Sequence, residues 1–302
     1  MYMQVDVPME RPPVANWVLI AGNFLVGLLL LVAENKAGQR FDLDDLTVDP
    51  EVERQLDDPR TPDATKRQLA RQEQERIRQW AETQAGRALD SSPRLKYALH
   101  PDRENFHFWQ LITYQFVHAD IVHLLGNMLF LFCFGNAINA KLGHLLFVGV
   151  YLGLGVMAGL AYAIVSDGRP LIGASGAIAG ITGVFLVLYP INEIAVWTVR
   201  SFLYTGDAWR FPSWIFIVFY MAWDLFGTLK LTGESGVAYV CHLGGEVVGI
   251  GVACGLVAAR WVRSNRGEQN LLELWGWVEE PQPRKRKRRR PKPPPPEPDA
   301  DL

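Results

Sequence analysis

Inside stretches that are otherwise apolar, this 302-residue chain carries His123, Asn127, Asn136, Asn139, Ser175, Thr182, Asp224, His242 and Glu246. If those stretches cross a membrane, each such group costs several kcal/mol unless it is partnered, so each is a functional-site hypothesis. Their types suggest acyl transfer. A serine hydroxyl is a weak nucleophile alone, and an imidazole within hydrogen-bonding distance can take its proton. The oxyanion that develops then needs fixed donors in a dry site. His123 and Asn127, at i and i+4, share a helix face, and both side chains can donate. The backbone N–H of Ser175, at the opening turn of a helix, is a further donor.

These residues need spans to hold them. Residues 14–33 carry no formal charge and, at about 1.5 Å per residue, cross a hydrocarbon core of about 30 Å. Further spans are predicted at 121–140, 145–165, 171–189, 212–229 and 237–262, with Pro190 and Pro212 as punctuation. Even-numbered spans run in one direction. His123, Asn127, Ser175 and His242 therefore fall at one membrane level, a turn or two below one surface. Small residues mark which helices meet: Ser175 shares a face with Ala179 and Gly183, beside Gly176 and Gly180, and His242 shares one with Gly245, Gly249 and Ala253. Such stripes let membrane helices approach backbone to backbone, so the fourth span is expected against the sixth.

Other chemistries fit less well. A zinc protease needs His-Glu-x-x-His, and His118 and His123 are wrongly spaced with no glutamate between them. An aspartyl protease needs two opposed aspartates in spans, and Asp224 is alone. The soluble-hydrolase elbow Gly-x-Ser-x-Gly fails at Ala177. Asp224 and Glu246 could serve a transporter as ion-binding groups, which leaves Ser175 unexplained. Cys133, Cys241 and Cys254 lie in apolar blocks and read as packing residues, not disulfides.

Three motifs, in order, resemble the rhomboid family of intramembrane proteases: FWQLITYQFVHADIVHLLGN at 108–127, with His118, His123 and Asn127; GASGAIAG at 173–180; and CHLGGEVVG at 241–249. The resemblance implies an all-α, six-span bundle. It implies a serine endopeptidase in which Ser175 is the nucleophile and His242 the general base and acid, without a third acidic member. His123, Asn127 and the Ser175 backbone would form the oxyanion site, with Gly173, Gly176, His118, Gly245 and Gly249 in support. It needs no cofactor or metal. Its partners would be membrane proteins with a locally unstable helix and a small residue before the scissile bond. The alternative is an inactive relative that binds transmembrane helices without cutting them. The chain departs from the family at Gln110, where a loop-stabilising arginine is usual, and at Ala179, where an aromatic ring often stacks on the histidine. Cys241 replaces an alanine. Glu246, one turn from His242, is read as a protonated or hydrogen-bonded carboxyl in preference to an orienting acid.

The expected organisation is an N-terminus at 1–13, a first span at 14–33, a long loop at 34–117, a catalytic core at 118–262 and a basic, proline-rich disordered tail at 263–302. The first apolar block lacks a basic flank and a small-residue cleavage site, so it is expected to persist as a helix. The loop should hold a helix from about Thr65 to Leu89. Lys141, Arg200, Arg210, Arg260, Arg263, Arg266 and the run Arg284 to Arg290 fall on one side. This predicts that both termini are cytoplasmic, in a bacterial inner membrane. The tail suits anionic lipid, and no nucleic-acid partner is expected. The formal charge of −2 averages over this segregation and says little by itself.

Overall fold

A backbone inside a bilayer must satisfy its own polar groups, and helices do so within one segment. The computed structural model describes residues 2–9, 11–38, 50–102, 104–166, 168–197, 207–230, 239–265 and 268–278. The basic run from Arg284 to Arg290 lies outside these residues, as do Arg200 and Arg266. The apolar helices are α1 (Val14–Gly38), α6 (Ile121–Phe130) continued through a π turn at Leu131–Gly135 into α7 (Asn136–Leu142), α8 (His144–Val165), α9 (Ser175–Leu188), α10 (Ser213–Lys230) and α11 (Tyr239–Ala258). Four helices are long and apolar enough to cross a membrane, at Val14–Glu34, Ile121–Leu142, His144–Val165 and Tyr239–Ala258, while α9 and α10 contribute shorter apolar ones. The protein is a multi-pass, α-helical membrane bundle.

Helix α9 is its axis. Every residue of α9 except Ser175 and Leu186 is buried, and its most extensive partner is α11. A Cβ on Gly245 would fall on the Gly176 carbonyl oxygen, one on Gly249 on that of Gly180, and one on Gly183 on that of Glu246. The stripes seen in the sequence thus lie directly against each other. Fourteen residues of helix extend only about 21 Å, so α9 is shorter than the 171–189 span expected. Residues 171–174 are irregular instead, because Leu171 bridges to Leu99 and Gly173 takes a positive φ.

Several of the span polar groups turn out to hold helices together. The π turn leaves the Leu131 carbonyl available, and Asn16 Nδ2 donates to it at 2.9 Å and to Asn136 Oδ1 at 2.9 Å. The Asn16 N–H donates to Asn139 Oδ1 at 3.1 Å. Gly135 makes the approach possible, since a Cβ there would sit 2.6 Å from Asn16 Oδ1. Thr182 Oγ1 donates to the Ala179 carbonyl of its own helix.

The long loop contains α2 (Pro50–Asp57), α3 (Asp63–Ser91) and α4 (Pro93–Tyr97), followed by α5 (Gln110–Thr113). Ser92 and Arg94 hold its end to Glu34 at the exit of α1. Two features were not anticipated. Strands β1 (Tyr2–Val5), β2 (Glu193–Trp197) and β3 (Trp209–Pro212) form an antiparallel sheet in that order, with Met3, Val5 and Val7 buried. The tail expected to be disordered from residue 263 instead carries α12 (Leu271–Leu274) behind an Asn270–Glu273 capping box. That segment packs on α9, and its Glu268 forms a buried ion pair with Lys141. The N-terminus, the α7–α8 turn, the α9–α10 connection and the C-terminal segment therefore share one end of the bundle.

A side chain at the α9–α11 contact should be costly. Gly249→Val is expected to lower stability by about 3 kcal/mol through overpacking. Gly251→Ala, where a Cβ meets nothing within 4 Å, should match the parent or stabilise by up to about 1 kcal/mol. Thermal unfolding in detergent measures both, and equal midpoints for Gly249→Val and the parent would contradict the packing described.

Candidate functional site

The site begins with a helix cap. Asp120 accepts the His123 N–H at 2.8 Å through Oδ1, starting α6 at Ile121. That puts His123 in the first turn and Asn127 one turn deeper on the same face. Opposite them, Ser175 is the first residue of α9, where backbone N–H groups have no intrahelical acceptor and the helix dipole favours negative charge.

The loop before Ser175 is fixed by the long first loop. Leu99 and Leu171 exchange two backbone hydrogen bonds of 2.9 Å, and the Gly173 N–H donates to the Tyr114 carbonyl at 2.9 Å. The Tyr114 hydroxyl donates in turn to the Gly155 carbonyl. Gly173 has φ +122°, and a Cβ there would lie 2.9 Å from His123 Cε1 and 3.6 Å from Ser175 Oγ. Glycine thus serves both the turn and the closeness of these two side chains. Gln110, 3% exposed, braces the loop by accepting the backbone N–H groups of His107 at 3.0 Å and His100 at 3.4 Å. It is the polar brace at the position where arginine was expected.

His123, Gly126, Asn127, Phe130, Ser175, Ile178, Ala179, Thr182 and Tyr220 line a cavity of about 180 Å³. Asn127 Nδ2 is buried with no hydrogen-bond partner among the described residues. It is an uncommitted donor in the wall that also holds Ser175.

His242 comes from α11. A Cβ on Gly176 would lie 2.5 Å from Cys241 Sγ, so the helical turns carrying Ser175 and His242 face each other. The imidazole does not itself line the cavity. It stacks on Tyr220, with ring centroids 6.1 Å apart and planes at 23°, which supplies the ring that Ala179 lacks. Its Nδ1 lies 3.3 Å from Asp224 Oδ1 and 3.5 Å from the Tyr220 hydroxyl. Glu246 is fully buried, and neither carboxyl oxygen has a hydrogen-bond partner among the described residues, so it does not orient the imidazole. The sequence reading missed Tyr220 altogether and left Asp224 without a partner. Their i, i+4 spacing on α10 was the available signal. His118 is buried, with its ring edge-on to His123 at 5.2 Å.

The family model described as Rhomboid domain matches residues 105–275. Among similar proteins, YdcA of Bacillus subtilis is 38% identical over 88 residues, 28% of this chain and 43% of that one. Rhomboid protein 1, mitochondrial, of Saccharomyces cerevisiae is 30% identical over 146 residues, 46% of this chain and 39% of that one. Rhomboid protease GluP of Bacillus subtilis is 37% identical over 86 residues, 28% of this chain and 17% of that one. Each match spans less than half the length of these relatives.

Burial, reinforced by the neighbouring His123, pushes the His118 imidazole down from 6.5 to about 4. Between those values the unfolded chain binds the proton more readily. The stability from neutral His118 is therefore complete above about pH 6.5 and is lost as pH falls towards 4. Thermal midpoints recorded across that window should fall less steeply for His118→Gln than for the parent; identical slopes would rule out His118 as the source.

Proposed function

The chain belongs to the rhomboid family, and we propose that it is an intramembrane serine endopeptidase that cuts transmembrane helices of membrane proteins near the membrane boundary. The observation that carries this reading is the cavity in which Ser175, at the N-terminus of a buried helix, shares a wall with His123 and the uncommitted Asn127 amide. A packing serine would not need such surroundings.

In this reading a substrate segment unwinds at the cavity mouth, because carbonyls engaged in a helix are not open to attack. Small, helix-weakening residues favour that step. Ser175 Oγ attacks the scissile carbonyl carbon while His242 Nε2 takes its proton. The oxyanion accepts hydrogen bonds from Asn127 Nδ2, the His123 ring and the Ser175 backbone N–H. Protonated His242 then gives its proton to the leaving amine, leaving an acyl-serine. Water, deprotonated by the same imidazole, hydrolyses the ester and regenerates the pair. Gly173, Gly176, Gly245 and Gly249 act through closeness of backbone, and His118 by packing behind His123.

In the same reading the end that carries β1 and α12 is cytoplasmic, which the retention of Lys and Arg on that side supports through Lys141, Arg210, Arg260 and Arg263. The cavity then opens towards the opposite surface.

A fluorophosphonate probe tests this without a known substrate. Purified protein should be labelled covalently, and Ser175→Ala and His242→Ala should abolish labelling. Asn127→Ala should slow it by about 10²-fold, the typical effect of removing one oxyanion donor. Wild type labelling no faster than Ser175→Ala, with helical substrates left intact, would favour a helix-binding relative without protease activity.

A further inference from the structure

We propose that Asp224 is the positioning residue for His242, so that the site works through a serine, a histidine and an aspartate contributed by three different helices. This inference rests on the protease reading and adds to it an acidic member that the family resemblance does not supply.

Both carboxylate oxygens of Asp224 lie 3.3 Å from His242 Nδ1. Asp224 is 1% exposed and His242 is buried. A carboxylate so placed in a membrane helix is costly unless it has a partner. Among the described residues, its one hydrogen-bonding or ionic partner is this imidazole. Thr228, one turn away, donates to the Asp224 backbone carbonyl and leaves the carboxylate to the histidine. Tyr220, one turn in the other direction, stacks on the same ring. Helix α10 therefore presents a carboxylate to one edge of the imidazole and an aromatic face to its plane.

The chemical consequence follows from the two ring nitrogens. A proton held on Nδ1 by Asp224 leaves Nε2 as the unprotonated nitrogen, the form a general base requires. When Nε2 takes up the serine proton, the same carboxylate stabilises the imidazolium. Stability alone is a poor reason for the pair, since buried ion pairs are commonly matched or bettered by well-packed apolar residues. Glu246 is the competing acid, but it makes no bond to the ring.

The test compares Asp224→Asn, Asp224→Glu and Glu246→Gln with wild type in two assays: fluorophosphonate labelling, and cleavage of a helical substrate under conditions that separate kcat from KM. Asp224→Asn keeps the shape but can offer an amide N–H to Nδ1, which favours the wrong tautomer. It should slow labelling and lower kcat by about 10²-fold or more, with KM and thermal midpoint little changed. Asp224→Glu should recover part of the rate, and Glu246→Gln should stay near wild type. Wild-type kcat in a folded Asp224→Asn, or a loss confined to KM and thermal stability, would overturn the proposal and leave a two-residue site. Absence of Ser175-dependent labelling in the wild type would instead overturn the protease reading on which it rests.

Discussion

The backbone contact between α9 and α11 is the constraint from which the rest of the site follows. Gly176 and Gly180 accept the approach of Gly245 and Gly249 with no room for a Cβ. Without a hydrophobic force between helices in lipid, such contacts depend on close packing over small residues. The register they impose brings Ser175 level with His242. Helix α9 begins inside the bundle, after the irregular residues 171–174, which leaves the serine in a cavity. The irregular backbone before it is tolerated because Leu99, Tyr114 and Gly173 satisfy its polar groups.

Around this contact, polar residues divide into two kinds. Asn16, Asn136 and Asn139 hydrogen-bond one another, the Leu131 carbonyl and the His144 ring, fastening α1 to the second span. At the opposite end, Asn127 keeps its amide uncommitted and Ser175 faces open space. Residue type does not distinguish the two groups, since asparagine occurs in both. What distinguishes Asn16 from Asn127 is that a neighbouring helix supplies acceptors for its amide Nδ2.

That difference also explains what could be read from the sequence. The six apolar helices, the shared depth of His123, Asn127, Ser175 and His242, and the matching stripes were legible because they depend on hydrophobicity and helical periodicity within one segment. The partner of Asp224 was not. Span five runs opposite to span six, so its depth relative to His242 depends on tilt and packing that periodicity does not encode. Gln110 was read as the lack of an arginine, because a backbone-accepting role shows only when the His100 and His107 amides fold around it. The alternation of Met3, Val5 and Val7 is strand-like, but its five-residue partner lies beyond four apolar helical segments in sequence. The Asn270–Glu273 capping box was readable and was obscured by the charged tail beyond it.

The sheet has a consequence for how the chain is made. Tyr2 pairs with Trp197, and β2 is sandwiched by a strand that ends at Pro212. During synthesis β1 must therefore wait, unpaired, until four helical segments have entered the membrane and β2 and β3 have followed. Closure of the sheet is then a late event that only a correctly threaded chain can complete. Its two earliest and latest strands act as a clasp, reporting at one end of the molecule that the helices between them have been inserted in order.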